Sequence, residues 1–88
     1  VASSEVESNF TTRLRNIFKE CVTDINTAQN IVVIKTLPGL GQAAAMAIDA
    51  MRNKAVVGSL GGDDTVFIVM KDNEAADNFC AEARTMLS

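Results

Sequence analysis

The chain has 88 residues, enough for one small domain and too few for two. Hydrophobic residues make up 48% of it, mostly Ala, Val, Ile, Leu and Met, with no Trp or Tyr. The net charge is −3, and the eight Lys and Arg stand singly with no basic stripe, which argues against a chain that grips nucleic acid by itself.

A domain of this size buries only about 60–65% of its unfolded surface. So much aliphatic surface therefore points to self-association, although Ala-rich helices would raise the apolar content without it. Cys21 and Cys80 form no CxxC pair and there is no His, so a thiolate zinc site has no support; two buried free thiols are expected. No apolar run is long enough to span a membrane, and Val1 to Phe10 is polar and acidic, unlike a secretory signal. A cytoplasmic chain with no membrane contact is the expectation, and the missing initiator Met reads as a trimmed piece.

In chain order, residues 1–9 read as a linker remnant rich in Ser and Glu. Phe10, Leu14, Ile17, Phe18 and Cys21 fall at helical spacing and predict a short lead-in helix. It runs into a β-branched, alternating stretch from Cys21 to Asn26, which predicts a strand. Residues 27–30 read as a turn, and Ile31 to Thr36 as a buried strand pairing with the first. Pro38 suits the first turn of a helix. Leu40, Ala44, Ala47, Ile48 and Met51 place one apolar stripe on a helix over 40–52. Ala55 to Leu60 reads as a third strand, residues 61–64 as a tight turn and Thr65 to Met70 as a fourth strand. Asp72 or Asn73 caps a last helix with Ala76, Phe79, Cys80, Ala83 and Leu87 on one face. The fold class is α+β, a two-layer ββαββα arrangement of a four-stranded sheet covered by two helices, preceded by the lead-in helix.

The densest chemical signal is Gly61-Gly62-Asp63-Asp64-Thr65. Gly and Asp are ordinary hairpin-tip residues, but two neighbouring carboxylates repel, and a cationic ligand or partner would relieve that. Gln42 and Asp49 lie seven apart, so they share a helix face about 10 Å apart along the axis. That face could be plain solvated surface, or with a carboxylate pair nearby it could line a polar slot of amino-acid length. Leu37 to Gln42 carries two glycines at a helix start, a place where a backbone or an anion can come close, yet the phosphate-loop pattern is missing. Catalysis has little support: there is no His base, neither Cys has an activating cation nearby, and adjacent Asp at a turn do not face each other across a substrate. The chain is therefore not expected to be an enzyme. Mg²⁺ at Asp63 and Asp64 would need a third oxygen ligand that is not evident, so no metal is expected.

Three segments taken together resemble the C-terminal domain of bacterial arginine repressors. They are Val32 to Gly39 followed by Gln42, Ala47-Ile48-Asp49, and Val57 to Thr65, which is similar to the family's G-T-I-A-G-D-D-T run. The resemblance covers about Leu14 to Leu87. It implies an arginine-binding and oligomerising ββαββα domain over residues 10–88, forming trimers that pair as a hexamer. It implies L-arginine as co-repressor ligand, bound between trimers, with no cofactor. Gln42, Asp49, Asp63 and Asp64 match family ligand positions. In the family, the aspartate matching Asp63 reaches the guanidinium of an arginine held mainly by the opposite trimer. The other three help hold the ligand, including its amino-acid end.

The resemblance also implies a transcriptional regulator of arginine metabolism genes, with operator DNA contacted only through an N-terminal winged-helix domain. No winged helix precedes Val1, so this chain is expected to sense and assemble but not to repress. Departures from the family pattern are small: Gly41 and Gly61 stand where Ala is usual, and Ser59 where Thr is usual. Two other readings stay open, an arginine-independent structural oligomerisation module and a small enzyme on the same scaffold.

Overall fold

The computed structural model describes residues 12, 13 and 15–87. The expected linker, Phe10 and Leu14 lie outside them. Residues 15–21 form helix α1, and residues 12 and 13 are helical as well. After it come β1 (Val22–Ala28), β2 (Ile31–Thr36), α2 (Gly41–Met51), β3 (Val56–Gly61), β4 (Thr65–Met70) and α3 (Asn73–Leu87). The strands form one antiparallel sheet in the order β1-β2-β4-β3. The expected α+β architecture with a lead-in helix is the one found.

Alternation along the strands explains the two layers, because side chains two apart share a sheet face. Ile25, Val32, Ile34, Val66, Ile68 and Met70 point to the covered face and are buried. Ala44 and Ile48 of α2, and Ala76, Phe79, Cys80 and Ala83 of α3, close over them. Phe18 of α1 joins the same cluster and is fully buried. Burying each large side chain of this kind contributes about 1.5–3 kcal/mol before chain entropy is counted. α2 packs mainly over β3 and β4, α3 mainly over β1 and β2.

Several boundaries differ from the sequence reading. Cys21 is the last residue of α1 and not the start of a strand. Its carbonyl accepts from Leu37 N–H at 2.9 Å, tying the α1–β1 junction to the end of β2. β1 keeps Thr27 and Ala28, because the β1–β2 turn is only Gln29 and Asn30, with Gln29 at φ 58°. Pro38 does not open a helix. It sits in a turn closed by Leu40 N–H to Leu37 C=O at 3.1 Å, with Gly39 third at φ 83°. Pro second and a positive-φ Gly third is the sequence logic of a type II turn. β3 runs one residue later than expected, so Gly61 is strand and the turn shortens to Gly62, Asp63 and Asp64.

α3 begins as the sequence predicts. Ala75 N–H donates to Asp72 Oδ1 at 2.7 Å, an N-cap bond for an otherwise orphan donor. Arg84, near the other end of α3, donates to the Ile25 carbonyl at 2.9 Å and fastens the helix to β1. Both cysteines are buried and unpaired, as expected. Burial, and then the nearby Glu20 carboxylate, push the Cys21 thiol above its ordinary value. No helix among the described residues is long and apolar enough to cross a membrane.

Candidate ligand site

The site is built where the β3–β4 hairpin tip meets the first turn of α2. Leu40, the residue before α2, makes no side-chain cap bond. The hairpin supplies the partner instead: Gly41 N–H donates to the Asp63 carbonyl at 2.9 Å. On the other side, Thr36 N–H at the end of β2 donates to the Asp64 carbonyl at 2.7 Å. The tip is thus held by two backbone donors from two elements, while Gly62 N–H donates back to the Thr65 carbonyl at 2.8 Å. Donors at a helix start and the positive end of its dipole are suited to an acidic partner.

The close approach explains Gly41. A Cβ there would run into the Gly62 carbonyl group, with the carbonyl carbon at 2.9 Å and the Asp63 carbonyl carbon at 3.0 Å. An alanine has no room at this separation, so Gly41 goes with a tightly seated tip.

The four predicted residues fall into two pairs, one on α2 and one on the hairpin tip. Gln42 and Asp49 are both exposed on the outer face of α2, as their spacing of seven requires. Met46, 71% exposed, lies between them on the same stripe. Asp49 reaches sideways to β3, where Ser59 Oγ donates to its Oδ1 at 2.7 Å. Ser59 thus joins the site as a residue that the sequence reading had noted only as a departure. Asp63 is exposed at the tip, and among the described residues its carboxylate has no hydrogen-bond or ion-pair partner. Asp64 is half-buried and engaged: Thr65 Oγ1 donates to its Oδ1 at 3.0 Å, and Lys35 Nζ lies 3.9 Å from its Oδ2.

The four side chains lie at an open surface: Gln42, Asp49 and Asp63 are exposed and Asp64 is half-buried. An apolar hollow of about 310 Å³ lies under the tip, formed by Leu60, Gly61, Gly62, Thr65 and Phe67. Carboxylates beside an amide suit a cationic, hydrogen-bonding ligand, since a guanidinium is a planar fork that a carboxylate accepts bidentately. No group of three or more His, Cys, Asp or Glu suited to a metal ion occurs among the described residues.

The family described as "Arginine repressor, C-terminal domain" matches residues 18–85. This chain belongs to the arginine repressor C-terminal domain family. It is 42% identical over 82 residues to an arginine repressor of Caldicellulosiruptor saccharolyticus, covering 93% of this chain and 54% of that protein. It is 50% identical over 68 residues to one from Alkaliphilus oremlandii, covering 77% of this chain and 46% of that protein. With one from Clostridium kluyveri it shares 36% over 85 residues, 97% of this chain and 57% of the other. The chain spans about half the length of the curated relatives it matches. Those arginine repressor relatives carry the name of a regulator and not of an enzyme.

Proposed function

We propose that this chain is the effector-binding and hexamerisation domain of an arginine-dependent transcriptional regulator of arginine metabolism genes. L-arginine binds through Gln42, Asp49, Asp63 and Asp64 at the seam between two trimers, and no cofactor takes part. Through that seam it controls DNA binding by the full-length protein, whose operator contacts belong to its winged-helix part. The setting is cytoplasmic, with no membrane partner.

The observation that carries this reading is the docking of the hairpin tip on the start of α2. It sets the start of the helix that carries Gln42 and Asp49 against the tip that carries Asp63 and Asp64, and leaves Asp63 exposed. An exposed ion pair is worth only about 0–1 kcal/mol, so a single chain's open surface would bind arginine weakly. A second subunit laid over that surface excludes water and strengthens the pair. Without arginine, facing carboxylates repel, so ligand binding and assembly are thermodynamically linked.

The bare sheet face supports self-association. In register across three strands stand Leu60, Phe67 and Val33, with Val69 and Ile31 in the next row. Leu60 is 73% exposed and Phe67 is 49% exposed. An apolar face of this kind on a small domain calls for a partner, and a second copy of the chain is the proposed one. The same face also favours the other reading, a structural oligomerisation module indifferent to arginine. Thermal shift separates the two. L-arginine raises the midpoint, and L-citrulline, which keeps the shape and loses the charge, does not; equal stabilisation by both would defeat the carboxylate–guanidinium reading.

A further inference from the structure

We infer that Lys35 is the positioning residue and internal counter-charge of the acidic tip, holding Asp64 so that each subunit presents one uncompensated carboxylate there, Asp63. The inference rests on the reading above and adds a residue to its site.

Lys35 stands directly opposite Thr65 in the β2–β4 register. Its Nζ donates to Thr65 Oγ1 at 2.8 Å, and Thr65 Oγ1 in turn donates to Asp64 Oδ1 at 3.0 Å. The same ammonium lies 3.9 Å from Asp64 Oδ2. Asp64 is therefore approached from both oxygens by one cation and the hydroxyl that cation orders. On the other flank Lys35 faces Asp24 of β1. That carboxylate is already engaged by Ile25 N–H at 2.9 Å and by Asn26 Nδ2 at 3.0 Å. The short contact of Lys35 is the one toward the tip.

The consequence is electrostatic. Two neighbouring aspartates would give each tip two negative charges, and tips meeting across a seam would repel accordingly. With Lys35 in place one of the two is offset within the chain, and the remaining charge is the one an arginine ligand must neutralise. Repulsion of this kind between surface charges is screened by salt, whereas a loosened backbone is not repaired by salt.

The test compares Lys35→Gln and Lys35→Arg with the unmodified chain by sedimentation velocity, without arginine, at low and at high ionic strength. Lys35→Gln weakens self-association about fivefold at low ionic strength, the size of a 1 kcal/mol effect, and high salt restores it. Lys35→Arg behaves as the unmodified chain. Equal association of all three at low ionic strength, or a Lys35→Gln defect that salt does not reverse, overturns the inference. If the unmodified chain does not self-associate without arginine, the comparison is repeated with L-arginine, and failure to associate there too overturns the reading in the previous section. Hydrogen exchange at Gly62 N–H, which is bonded to the Thr65 carbonyl, then decides the anchoring role: faster exchange in Lys35→Gln alone supports it, and equal rates in all three overturn it.

Discussion

Ser59 shows how a single side chain can matter to the site without mattering to the fold. Its hydroxyl donates to Asp49 Oδ1 at 2.7 Å, from a strand to a helix that meet only through tertiary packing. An exposed bond of this kind adds little to stability, so Ser59→Ala is expected to change the unfolding free energy by less than about 0.5 kcal/mol. Under the proposed function it frees the Asp49 carboxylate to swing and weakens L-arginine binding about three- to tenfold, the size of one net hydrogen bond. Isothermal titration alongside thermal unfolding checks both halves. Ser59 and Lys35 were not legible as site residues in the sequence, because their partners lie 10 and 30 positions away and nothing local announces them, whereas Gly41 was legible as a place of close backbone approach but not its partner, 22 positions away. Gln42 and Asp49 were legible as a pair, since a spacing of seven puts them on one helix face whatever the tertiary structure does. Asp63 and Asp64 stood out by their adjacency, but only the Lys35 contact distinguishes the engaged carboxylate from the outward one.

At the level of elements, what could be read in advance was whatever local periodicity decides. β4 alternates buried and exposed from Val66 to Met70, and its bounds are those the sequence predicts. α3 also follows its signals, from the Asp72 cap to the apolar stripe through Ala83. Asp72→Ala removes the bond to Ala75 N–H and is expected to cost about 1 kcal/mol. In a domain of this size that lowers the melting temperature by about 4–8 °C, measurable by circular dichroism, with arginine binding unchanged because the cap lies outside the proposed site. The misplaced boundaries are those set by pairing. Thr27 and Ala28 are weak strand signals, yet they stay in β1 because Val32 and Ile31 oppose them across a two-residue turn. Pro38 has the same fixed φ in a helix start and in a turn, so only the Leu40 to Leu37 bond tells which is built.

At the scale of the whole molecule, one sheet face is sealed by α2 and α3, and the other is uncovered among the described residues. The covered face follows from alternation in the strands, but the bare one does not announce its partner, because Leu60, Phe67 and Val33 become neighbours only in the assembled register. If that face joins copies of the chain, Phe67→Lys places a charge in the joint and leaves the core untouched. Such a variant is expected to keep its far-UV circular dichroism and to sediment as a monomer. Under the proposed function, arginine is expected to couple to assembly through a shared acidic seam. The most direct measurement is the mass of the chain in solution, by sedimentation velocity, without ligand, with L-arginine and with L-citrulline. Arginine alone is expected to move the population toward the hexamer. A mass distribution that is the same in all three conditions would contradict it.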